Sequence, residues 1–197
     1  IKDSQGQEFQ LPATIDPPHA LHGFGLISSW QEIGPGRSLL HLPAPYNGAT
    51  VEQSIEVLDD AVRWSLEYEP NGCELPAWMG FHPWFARDLD RGGSAEIEFG
   101  ATEMLVRGSD GIPTGKRSAP TAQPWDDAFT GIKGTPAVVW EDVARISIEC
   151  DAPWWVVYTE DSEGVCLEPQ TAPPDAQNLG ISGENYIEAL FVFESLD

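Results

Sequence analysis

Four short segments hold the residue types that acid–base chemistry needs. They are HALHGFG with His19 and His22, GFHPWF with His82, PWDDAF with Asp126 and Asp127, and VCLEPQTAPPDAQN with Glu168. A histidine can give or take a proton near neutral pH, and an ionised carboxylate can accept one. His82 stands among Phe81, Trp84 and Phe85, and Pro83 biases its backbone toward an extended conformation. Glu168 closes the apolar stretch Val165-Cys166-Leu167 and precedes Pro169, which puts it at the edge of a strand where a carboxylate can be half buried. Ordinary roles compete with these: a histidine satisfied inside an aromatic cluster, and one more solvated glutamate in an acidic chain.

Histidines and carboxylates also bind metals, but the spacing here argues against it. His19 and His22 are three apart in a Pro-flanked segment that need not be helical, and no H-E-x-x-H pairing occurs. No metal and no other cofactor is expected. A glycosidase using Asp126 and Glu168 as its two carboxylates stays open, because sequence does not give their separation.

The elements that must position these groups read as strands. Val62, Trp64, Leu66 and Tyr68 alternate with Arg63, Ser65, Glu67 and Glu69, a period of two that puts the apolar set on one sheet face. The alternation recurs in Ala95-Ile97-Phe99, Ile146-Ile148-Cys150 and Ile187-Ala189-Phe191-Phe193, and Trp154 to Tyr158 form an aromatic and β-branched run. With 19 Gly and 17 Pro punctuating the chain and no long segment of helical spacing, an all-β antiparallel sandwich or barrel is expected. Residues 1–197 read as one domain, and the segments 80–93 and 120–131 read as loops carrying binding chemistry.

Charge narrows the partners. Ten Lys plus Arg against 32 Asp plus Glu give a formal charge of −22, which argues against nucleic acid and anionic membranes and for a neutral or cationic ligand. Cys73, Cys150 and Cys166 match neither a redox nor a zinc framework, so a reducing, cytoplasmic setting is expected. No run reaches the ~18 apolar residues of a membrane span. Composition does not address oligomeric state.

Taken in order, the four segments resemble the galactose mutarotase (aldose 1-epimerase) family, which includes hexose-6-phosphate 1-epimerases. The resemblance runs from about His22 to Asn178 through HGF, SSW at Ser28 to Trp30, GFHPWF, the IPTG of Ile112 to Gly115, WDDAF and LEPQTAPPDAQN. It implies a large antiparallel β-sandwich and an isomerase that interconverts the anomers of a sugar, or a non-catalytic sugar binder of the same fold. It implies His82 as general acid and Glu168 as general base, with His22 and Asp126 holding sugar hydroxyls and no role for Asp127, which is expected on the loop surface. Trp84 and Trp125, which flank the polar groups, are expected to offer apolar faces to the ring. Nearby carboxylates such as Asp126 are expected to raise the His82 pKa, while Glu168 stays ionised. Two departures stand out. The family carries upstream strands and an arginine-bearing R-G-G segment before HGF, whereas 21 residues precede His22 here, so part of that N-terminal region is expected to be lacking and its arginine to be either absent or supplied by sequence upstream of Ile1. Gly25 and Leu26 also follow HGF where hexose-6-phosphate epimerases have A-R, leaving Arg87 and Arg91 as the cations to watch for a phosphate.

Overall fold

Alternating apolar residues give long strands here, and a computed structural model, describing residues 1–13 and 19–196, shows how they pair. The first elements are one helical turn α1 (Gly23–Ile27) and strands β1 (Gln31–Gly34), β2 (Arg37–His41), β3 (Thr50–Val57), β4 (Ala61–Glu69) and β5 (Trp84–Ala86). There follow β6 (Glu96–Arg107), β7 (Pro113–Ser118), β8 (Asp126–Trp140), β9 (Ala144–Glu149), β10 (Trp154–Tyr158), β11 (Gly164–Gln170) and β12 (Tyr186–Ser195). They join in one antiparallel sheet with the order β1-β2-β3-β4-β12-β9-β8-β10-β11-β5, and β6 bridges β7 to β8. All five segments expected to be strands are strands. The two expected loops are corrected in part: Trp84–Ala86 is a short edge strand, and Asp126 begins the 15-residue β8. β8 escaped detection because Gly131, Gly134 and Pro136 interrupt its pattern without ending its ladder to β6 and β9.

Alternation along β8, β10 and β11 separates two faces. Phe129, Trp155, Val157, Val165 and Leu167 are buried in the main core. The residues between them, Ala128, Trp154, Val156, Cys166 and Glu168, face the other side, where Leu105, Ala128 and Trp154 form a second, smaller cluster with Val156, Leu179 and Ile181. Among the described residues no helix is long and apolar enough to cross a membrane.

Leu167 and Trp155 are fully buried, whereas Trp84 is 55% exposed. Leu167→Ala is expected to lower unfolding free energy by about 2–5 kcal/mol and Trp155→Ala by about 3–5 kcal/mol, while Trp84→Ala costs under about 1 kcal/mol. Urea unfolding checks this, and a Trp84 loss equal to that of Trp155 would contradict the two-face assignment.

Candidate active site

Strand register brings His82 and Glu168 together. β11 pairs with β5 through Cys166↔Trp84, and an isolated bridge joins Gly80 to Gln170, so the same antiparallel register sets His82 opposite Glu168. Phe81 donates its N–H to Pro169 O at 3.1 Å, Thr171 donates its backbone N–H to Met79 O, and Met79 N–H donates in return to the Thr171 side-chain Oγ1, which clamps the segment that leads into β5. Gly80 permits this approach: a Cβ there would lie 2.6 Å from Gln170 Cγ and 3.1 Å from Pro169 O. In the result His82 Nε2 lies 3.5 Å from Glu168 Oε1.

Two cross-strand rows complete the face. Asp126, Tyr158, Cys166 and Trp84 are successive partners across β8, β10, β11 and β5, and the next row runs Ala128, Val156, Glu168, His82. Trp84 stacks on His82 with ring centroids 5.9 Å apart and meets Tyr158 edge-on at 5.8 Å. Its indole rests over Gly164, where an added Cβ would come within 2.6 Å of Cε3. His22, held at φ 62 just before α1, sets its ring edge-on to His82 at 4.7 Å. Asp126 is ion-paired to Arg107, whose Nε lies 3.7 Å from Asp127 Oδ1.

The structure therefore gathers His22, His82, Trp84, Asp126 and Glu168 on one face, and it corrects two placements. Trp125 is buried in the main core against Phe99 and Phe129, its indole N–H bonded to Thr121 O, because it lies on the opposite side of the alternation from Asp126. Asp127 is not on a loop surface: it lies within β8, partly buried beside Arg107. Arg87 spends its guanidinium on the carbonyls of Asp161 and Thr159. Sequence reading missed Arg107, Tyr158 and Cys166. Counting two residues along the strands from Glu168 and from Val156 would have found Cys166 and Tyr158, whereas Arg107 reaches Asp126 only through the β6–β8 pairing. A separate cleft lined by Leu11, Phe24, Ile27 and Pro43 contains none of the acid–base groups.

Proton affinities depart from expectation. Burial, and then the Asp126 charge, push the Glu168 carboxyl up to about 8, a shift that the Gln170 amide, 3.4 Å away, opposes only weakly. Burial, and then the neighbouring His22, lower the His82 pKa below 6.5. The expected rise at His82 is overturned because desolvation disfavours the imidazolium and His22 beside it opposes a second positive charge. Both shifts run toward the uncharged forms, so burial works against an ion pair at the 3.5 Å contact. Moving a proton from Glu168 to His82 converts the neutral forms to an ion pair of the same total charge.

No family model and no curated protein matches this sequence. Solved structures do match its fold. A candidate aldose 1-epimerase from Escherichia coli K12 is 21% identical with a TM-score of 0.80, over 98% of this chain and 78% of that one. A galactose mutarotase-like protein from Clostridium acetobutylicum is 15% identical with a TM-score of 0.68, over 94% and 72% of the two chains. A galactose mutarotase related enzyme from Lactobacillus acidophilus is 16% identical with a TM-score of 0.61, over 88% and 73%. The fold is galactose mutarotase-like, as the resemblance implied.

Because Glu168 holds its proton more tightly folded than unfolded, the folded chain binds the extra proton between pH 4.5 and about 8, and stability falls as pH rises through that window. Glu168→Gln removes the ionisable group. The variant is expected to gain about 1–3 kcal/mol over wild type at pH 8, a gain that vanishes near pH 4.5. A stability difference independent of pH would overturn the assignment of the proton.

Proposed function

We propose that this chain is an aldose 1-epimerase that opens and recloses a pyranose ring without a cofactor. The observation that carries the reading is the His82–Glu168 pair, an imidazole and a buried carboxyl group 3.5 Å apart, beside an exposed indole face. Anomer interconversion removes a proton from the O1 hydroxyl and adds one to the ring oxygen O5 as the C1–O5 bond breaks. One base and one acid must therefore act on the same ring. The sugar selects the ion-pair form: the O1 hydroxyl donates to the Glu168 carboxylate, a hydrogen bond that favours the charged group, and the His82 imidazolium is left to protonate O5. Rotation about C1–C2 exposes the other aldehyde face, and reclosure returns each proton with the two roles exchanged. His22 and Asp126 hold hydroxyls, Arg107 fixes the Asp126 carboxylate, and Trp84 supports the apolar face of the ring.

Neutral hexoses fit better than hexose phosphates. Arg107 is engaged by Asp126 and Asp127, Arg87 is bonded to backbone carbonyls, and the chain carries −22 overall, so phosphate would meet an acidic surface. A tenfold advantage in kcat/KM for glucose 6-phosphate over glucose would contradict this.

Polarimetry of freshly dissolved α-glucose and α-galactose tests the activity, and rates equal to buffer across a panel of hexoses would leave a sugar-binding module. Glu168→Gln and His82→Asn are each expected to lower kcat by roughly 10²–10⁴, and the double variant by far less than the product. Wild-type kcat/KM should be bell-shaped in pH, because the pair must hold one proton: activity declines above about 8 as that proton is lost, and below the depressed His82 range as a second is gained. Gly164→Ala, which displaces the Trp84 indole, is expected to raise KM several-fold with a smaller change in kcat; an unaltered KM would remove Trp84 from the binding surface.

A further inference from the structure

His82, Cys166 and Glu168 aim three different donors at one point. Their ligand atoms all lie within 4.8 Å of one another. Cys166 is fully buried and free of any disulfide, and it sits two residues before Glu168, so both side chains leave β11 on the same face. Ring opening gives this thiol no task. The donor set is informative: a thiolate sulfur, an imidazole nitrogen and a carboxylate oxygen suit Zn²⁺ and other borderline cations, whereas Mg²⁺ and Ca²⁺ prefer oxygen throughout. With Zn–ligand bonds of ~2.0–2.3 Å, tetrahedral donors stand roughly 3.3–3.8 Å apart, so closure needs side-chain shifts of about 1 Å. A fourth position remains for water or a sugar hydroxyl.

Charge points the same way. Cys166 and Glu168 are both buried, where an uncompensated charge is costly. Zn²⁺ with one thiolate, one carboxylate and one neutral imidazole has no net charge, so the cation replaces two protons, which leave for solvent, and no charge is left uncompensated. No electrons move in this exchange.

We propose that His82, Cys166 and Glu168 form a zinc-binding site superimposed on the acid–base pair, so that Zn²⁺ binding and proton transfer exclude one another. The inhibitory half of this statement rests on the epimerase reading, but the site itself does not. Its test is therefore optical. Co²⁺ added to the metal-free, reduced chain should produce a thiolate-to-cobalt charge-transfer band that saturates at about one ion per chain and is displaced by Zn²⁺ but not by Mg²⁺. Cys166→Ala, checked for folding by circular dichroism, should abolish the band. His82→Ala, at a partly exposed position, should keep the thiolate and weaken Co²⁺ binding at least tenfold. If the chain is an epimerase, Zn²⁺ should suppress mutarotation and a chelator restore it, and the wild-type inhibition constant should lie at least tenfold below that of Cys166→Ala, each referred to its own metal-free rate. A band present in a chain without mutarotase activity would uphold the site and overturn the epimerase reading. Absence of the band in folded wild type, or its persistence in Cys166→Ala, would overturn the site.

Discussion

A carboxyl group kept almost entirely from water is the constraint around which the rest is arranged. Glu168 is 5% exposed, and a charge there is costly unless the surroundings offer a proton or a counter-charge. The neighbouring strand supplies His82, and register alone decides this: a slip of one residue between β5 and β11 would turn His82 to the core face and set Pro83 opposite the carboxylate. The close approach at Gly80, the clamp between Thr171 and Met79 and the indole seated over Gly164 all act to hold that register. Chemistry and topology are thus fixed by the same few backbone contacts.

The opposite face shows what tolerates this cost. Phe129, Trp155, Val157, Val165 and Leu167 are buried in one layer beneath the strands that carry Asp126, Cys166 and Glu168. Their packing holds β8, β10 and β11 firmly enough that an unfavourable group on the other side does not pull them apart. The shifted proton affinities of Glu168 and His82 come from the same burial. Water that would otherwise favour the charged forms is excluded, which pushes the Glu168 carboxyl up and the His82 imidazolium down.

Legibility followed the nature of each signal. Strands with unbroken alternation, such as Val62 to Glu69, were plain in the sequence, as were the loaded segments around His82 and Glu168. β8 was hidden because its two glycines and Pro136 read as breaks, while its ladder depends on partners far away in the chain. Trp125 was misplaced for a simpler reason: composition marks an aromatic next to Asp126, but only parity along the strand says which face it takes. Arg107 was invisible because its importance comes from pairing between β6 and β8, and the direction of the His82 shift follows from its burial and from His22 beside it, which only the fold brings about.

The placement of β12 bears on how the chain reaches this state. It is the last strand in sequence, yet it lies between β4 and β9, and the block β1 to β4 meets the block around β8 through it. As a ribosome releases the chain, both β4 and β9 present an open edge until residues 186–195 emerge, edges of the kind that recruit strands from other molecules. Assembly by late insertion of one central strand makes the final contacts long-range and slow, so nascent or truncated chains ending before Tyr186 are the species for which a holdase chaperone matters most.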